Sequence, residues 1–162
     1  MEDSPDVDIV NLTRTRISSR WLALAIRLSR ARCGRKARGR RVSVALVGEA
    51  RMQRLNRRWR GVGKPTDVLA FPASPAFNTP RQESSMGEIV IAVPVARRQA
   101  REHGVTLEAE LVRLAVHGFL HLAGFDHEKS TRAEQAMTNV QQHILQLFAA
   151  QRYGATSTHR RH

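Results

Sequence analysis

LEAELVRLAVHGFLHLAGFDH, residues 107–127, is the stretch on which the reading of this chain turns. Leu107, Leu111, Leu114 and Ala115 recur at helical spacing, and Val112 and Val116 widen that apolar stripe until little of the helix is left to face water. A helix of this kind belongs inside a core. Thr106 stands where a capping hydroxyl is wanted, and the stripe runs on into three histidines. His117 and His121 are four apart, so their imidazoles project from one face, a turn apart. Gly124 can take the left-handed conformation that ends a helix and turns the chain, which lets His127 return to the same point from a third side. Three neutral imidazoles with a fourth position open are the donor set of a catalytic zinc site, one ion per chain. Availability and tetrahedral imidazole ligation favour zinc over nickel or copper. At the His and Gly frequencies of this chain, the spacing arises by chance on the order of once in a thousand. His103 and His143 lack it and read as surface residues, and His159 and His162 belong to the tail.

Outward from this helix the pattern is that of an α+β single domain: a small mixed sheet of about four strands packed by helices, its central zinc-helix ending in a glycine turn. Residues 1–6 read as a loose N-terminus, 7–150 as the domain, and 151–162 as a disordered basic tail. Val7 to Leu12 alternates like an edge strand, and Val42 to Val47 is a β-branched run bounded by Gly48. Shorter strands are expected over Asp67–Phe71 and Glu88–Val93. Helices are expected from Ser18 or Ser19 to Gly34, over Glu49–Trp59, and from Pro94 to Gly104. Thr131 and Glu134 predict a capping box for a last helix through Phe148. Arg35–Arg41 reads as a basic linker and Pro72–Ser85 as a flexible loop.

With 162 residues, 41% of them hydrophobic, the chain has the size and apolar content of one core. The 27 Lys and Arg against 14 Asp and Glu leave a net charge of +13. That excess is localised: Arg14–Arg60 holds 16 basic residues against Glu49 alone. Such asymmetry attracts polyanions, nucleic acid first among them, although a solvated basic face is the plainer explanation. Cys33 is the one cysteine, which excludes an intrachain disulfide and a thiolate cluster. Neither a signal peptide nor an apolar run of membrane-spanning length is present, so a cytoplasmic, membrane-free protein is expected.

The frame H-x-x-x-H-x-x-G-x-x-H is also that of the metzincin proteases, with one decisive difference. Those enzymes carry Glu after the first histidine as the base for peptide hydrolysis, and here that residue is Gly118. Peptidase activity is therefore disfavoured. HGFLHLAGFDH, with WRGVGKPTDVLAFP (Trp59 to Pro72) and GEIVI (Gly87 to Ile91), resembles the YbeY family of bacterial metallo-endoribonucleases, over roughly Val42 to Phe148. The resemblance implies a single-strand-specific endoribonuclease acting on rRNA in 16S 3′-end maturation and ribosome quality control, with single-stranded RNA and the ribosome as partners and no DNA. It implies zinc ligands at His117, His121 and His127 and a functional arginine at Arg60. The departures are Glu88 where the family often has Asp, and Phe125 where it often has Tyr.

Arg60, at a helix end before Gly61, can neutralise a scissile phosphate; a solvated arginine favoured by the helix dipole is the plainer reading. Lys64 can assist it or be plain surface. Glu88 and Asp126 are candidates for a general base or for a carboxylate behind the ligands, and Asp126 fits a turn cap equally well. Met137 reads as core. Phe71, Pro72 and Phe77 can stack on bases or pack on the core. A non-catalytic zinc-binding ribosomal factor and a metallohydrolase of another ester or amide are the two alternatives.

Overall fold

The computed structural model describes residues 6–74 and 84–154; residues 1–5, 75–83 with Phe77, and 155–162 with His159 and His162 lie outside them. Four strands form one sheet in the order β1-β2-β4-β3: β1 (Val7–Asn11), β2 (Arg41–Val47), β3 (Val68–Pro72) and β4 (Ser85–Ala92). β1, β2 and β4 run parallel, and β3 pairs antiparallel with β4. Five α-helices accompany them: α1 (Ser19–Cys33), α2 (Glu49–Arg60), α3 (Val93–His103), α4 (Leu107–Leu122) and α5 (Thr131–Tyr153).

Both faces of the central strands are covered, which is why they read as continuous apolar runs. Val42, Val44, Leu46, Ile89 and Ile91 pack with α1, α4 and α5 in the main core. Val47, Val90 and Ala92 turn the other way, onto Met52 of α2 and Leu69. α4 is the centre of the main core, as its wide stripe requires: Leu111, Leu114, Ala115, Val116, Phe119 and Leu120 are all buried. Truncating a side chain such as Phe119 to alanine costs about 3–5 kcal/mol in sites of this kind. Thr106 caps the helix, its Oγ accepting from the Ala109 N–H at 3.1 Å. Glu110 is buried on α4 and held by Arg113, with O···N distances from 2.6 Å.

Several expected boundaries move. Ser130, not Thr131, caps α5, accepting from the Ala133 N–H at 3.1 Å, so Glu134 falls outside the box. α5 continues to Tyr153, so residues 151–153 extend that helix rather than start a loose tail. Asp6 is tied down, its carbonyl accepting from Val42 N–H and its carboxylate facing Arg30 at 3.3 Å. The basic linker holds a 3-10 turn at Gly34–Lys36, and Arg41 already belongs to β2. β4 begins at Ser85 and ends at Ala92, because Val93 opens α3. No helix among the described residues is long and apolar enough to cross a membrane.

Candidate metal centre

The last two turns of α4 carry His117 and His121, and the loop after it carries His127. The main-chain N–H groups of Ala123, Gly124 and Phe125 donate back to the carbonyls of Phe119, His121 and Leu120. Gly124 sits at φ 95°, a conformation that a side chain would strain, and this turns the chain back over the helix end. One ligating nitrogen from each histidine then lies within 4.8 Å of the others. The three histidines that helical spacing and the glycine turn point to are thus brought together by the fold.

The ring orientations suit a cation. His117 Nδ1 donates to Gln141 Oε1 on α5 at 2.9 Å, so its Nε2 keeps the lone pair. That Nε2 stands 3.1 Å from His121 Nε2. The Phe125 backbone also bears on the His121 ring, favouring its protonated form against the effect of burial. Two ring nitrogens this close need either a proton or a cation between them. His127 Nδ1 is buried without a hydrogen-bond partner, a cost that ligation would remove. Burial, the largest influence on both rings, pushes the His117 and His121 pKa values down, and the neighbouring histidines push the same way. The rings therefore stay neutral, the ligating form, to lower pH than an ordinary imidazole. An ion of the zinc type fits this donor set.

The three histidines open into a cavity of about 630 Å³ whose wall also includes Arg60, Asp67 and Pro72. Arg60 reaches it from the C-terminal end of α2, where Gly61 caps the helix. The following loop is fastened to α2: Asn56 Nδ2 donates to the Lys64 carbonyl at 2.7 Å and Gln53 Nε2 to that of Gly63 at 2.8 Å. Lys64 is not among the residues of the cavity wall.

Glu88 does not belong with the histidines. Its strand neighbour Ile89 packs against α4, so Glu88 points to the opposite sheet face and lines a separate cleft with Asp8 and Ser43. Asp126 does line the cavity, while its Oδ1 accepts from the Glu128 N–H at 3.0 Å in a turn-capping contact. Met137 is buried in the main core. Phe71 packs on the second core and against Trp59, ring centroids 5.7 Å apart.

Gly118 has a reason that the sequence did not disclose. A Cβ there would stand 2.7 Å from Ile89 Cγ2, with Val68 Cγ2 at 3.4 Å. The helix lies so close to β3 and β4 that a glutamate has no room at this position. Gln141 and Asp67 join the site without a signal in the sequence. Gln141 acts across a helix–helix contact with no sequence period linking it to His117. Asp67 caps the start of β3 through the Val68 N–H at 2.7 Å while facing the cavity.

A partner of the Gln141 kind fixes ring orientation and raises ligand basicity. Gln141→Ala is expected to weaken zinc affinity by about 10–100-fold with the fold intact. Competition against a chromophoric chelator measures this, and an unchanged affinity would leave Gln141 without a positioning role.

Comparison with known proteins bears on the same residues. A family model described as endoribonuclease YbeY matches residues 9–149. The chain is 40% identical over 105 residues to endoribonuclease YbeY of Persephonella marina, covering 65% of this chain and 68% of that one. It is 49% identical over 98 residues to that of Moorella thermoacetica (57% and 63%), and 46% over 106 residues to that of Rhodopseudomonas palustris (64% and 62%). The matched stretch thus spans 62–68% of these relatives' length. A Thermotoga maritima protein solved in solution superposes with a TM-score of 0.63 at 27% identity, over 96% of this chain and 99% of that one. The match takes in the helix, the glycine turn and all three histidines, and the chain belongs to the YbeY endoribonuclease family.

Proposed function

We propose that the metallo-endoribonuclease role of the family runs in this chain on one zinc ion held by His117, His121 and His127, with single-stranded RNA as substrate. The observation that carries the reading is the convergence of one ring nitrogen from each of three histidines in a cavity shared with an arginine. When bound, zinc supplies Lewis-acid activation of water or of a phosphoryl oxygen. Arg60 binds the scissile phosphate and meets the charge that develops there. Gln141 holds the His117 ring in its ligating tautomer. Glu88 lies across the sheet, so the proton falls to a carboxylate of the cavity wall, Asp67, Asp126 or Glu128. Among the described residues the metal-capable group ends at three histidines, which favours catalysis over a closed structural site. By analogy with the family, the substrate in the cell is rRNA during 16S 3′-end maturation on the ribosome, in the cytoplasm.

Gly118 gives this reading a test. With no base beside the first ligand and no space for one, homogeneous protein is expected to cut single-stranded RNA, to lose that activity to chelator, and to leave unfolded casein intact. Chelator-sensitive proteolysis by the same sample, without RNA cleavage, would reverse the assignment of substrate.

A further inference from the structure

The basic charge of Arg14–Arg60 is concentrated beyond what Arg60 accounts for. Between the end of α1 and the start of β2 lies a second cleft, about 540 Å³, walled by Arg27, Arg30, Arg35 and Arg38 together with Asp6. Asp6 balances one of the four. Arg30 Nη1 faces its carboxylate at 3.3 Å, and Nη2 donates to the carbonyls of Asp6 and Arg40 at 2.9 and 2.7 Å. Arg30 is thereby part of the wall. Arg27, Arg35 and Arg38 are exposed, and no ion pair joins them to a carboxylate among the described residues.

The turn that presents Arg35 and Arg38 is fixed. Ala37 is buried in the main core, and the N–H groups of Ala37, Arg38 and Arg40 donate to the carbonyls of Gly34, Arg35 and Ala37. A helix dipole explains cations in the last turn of α1, such as Arg30 and Arg32. It does not explain Arg35 and Arg38, which lie past the helix end. Three like charges around one cleft repel each other, and an anion among them relieves that repulsion.

From the cleft a chain of contacts leads along the start of β2 and β4 toward the end of the histidine helix. Arg30 holds Arg40, whose guanidinium donates to the Ser85 carbonyl at 2.8 Å at the start of β4. Two residues on, Gly87 lies against Leu122, the neighbour of His121. From β1 to β3 is three strand spacings, roughly 14 Å, a span that a few nucleotides cover. We infer that the arginine cleft is a phosphate-binding subsite that holds the RNA strand a few nucleotides from the bond to be cut. This rests on the proposed RNA substrate and adds a direction to it: the strand crosses the start of β2 and β4 between the two sites.

The test uses the full chain, with chelator present so that no strand is cut; binding then remains readable even if the proposed cleavage chemistry is wrong. Affinity and its salt dependence are measured for single-stranded RNAs of about 12 and about 4 nucleotides, the shorter unable to reach both sites. Arg35→Ala/Arg38→Ala is expected to weaken binding of the longer RNA about tenfold and to lower its salt slope by about 1.4, since each single-strand phosphate contact contributes about 0.7. Binding of the shorter RNA should change by less than about twofold. Arg51→Ala/Arg54→Ala, two exposed arginines of α2, removes the same charge elsewhere, and Arg27→Ala reads the cleft from the helix side should the double variant unfold. Equal losses for both RNA lengths, or for the α2 pair, would reduce the cleft to general surface charge and overturn the inference. An unchanged affinity for the longer RNA would overturn it too, leaving the cleft to an acidic protein segment.

Discussion

His121→Ala is expected to leave a folded protein that holds no zinc and cuts RNA at least about a thousandfold more slowly in kcat/KM, a loss of about 4 kcal/mol in transition-state stabilisation. The side chain is half-exposed at the end of α4, outside the packed stripe, and alanine is a better helix former than histidine. Its removal takes away the ring nitrogen that stands 3.1 Å from His117 Nε2 and leaves two donors of the three. The melting temperature of the metal-free protein should change little. Elemental analysis and single-turnover cleavage on the same preparation decide the matter: normal cleavage without metal would remove the histidines from the reaction.

Arg60→Ala is expected to keep its zinc and lose on the order of a hundredfold or more in both kcat and kcat/KM. A guanidinium is not a metal ligand, so metal content should match wild type. Arg60 shares the cavity wall with the histidines, and an interaction with a scissile phosphate strengthens as charge develops in the transition state. A surface arginine such as Arg20 contributes only to attraction, so Arg20→Ala should weaken affinity modestly and spare turnover at saturating RNA. If Arg60→Ala matches wild type at saturation, the residue is one more surface charge, and the phosphate must be met elsewhere.

The metal ligands were legible because two of them obey helix periodicity and the third follows a glycine that can turn the chain. Such information is local. The central helix was legible for the same reason, its apolar stripe being wider than an amphipathic surface helix presents. What escaped depends on contacts distant in sequence. Gln141 reaches His117 only because α5 docks beside α4. Glu88 was a reasonable candidate by composition, yet its parity on β4 against Ile89 puts it on the far face, and only the packing of α4 tells which face is which. The absence of a base at Gly118 was visible, but its cause, the close approach of α4 to Ile89, was not. At α5 the error was one residue: Ser130 and Thr131 can both cap, and the backbone, extended at Ser130, selects the first.

The central claim is that three histidines make this chain a metal-dependent ribonuclease, and zinc titration of stripped protein tests it most directly. Chelated, metal-free protein is mixed with rising zinc, and cleavage of one defined single-stranded RNA is followed alongside bound metal. Activity should be absent at the start and rise in proportion to occupancy, reaching its plateau at about one zinc per chain. Full cleavage by the stripped protein, or zinc bound at that stoichiometry with no cleavage at any point, would contradict the account.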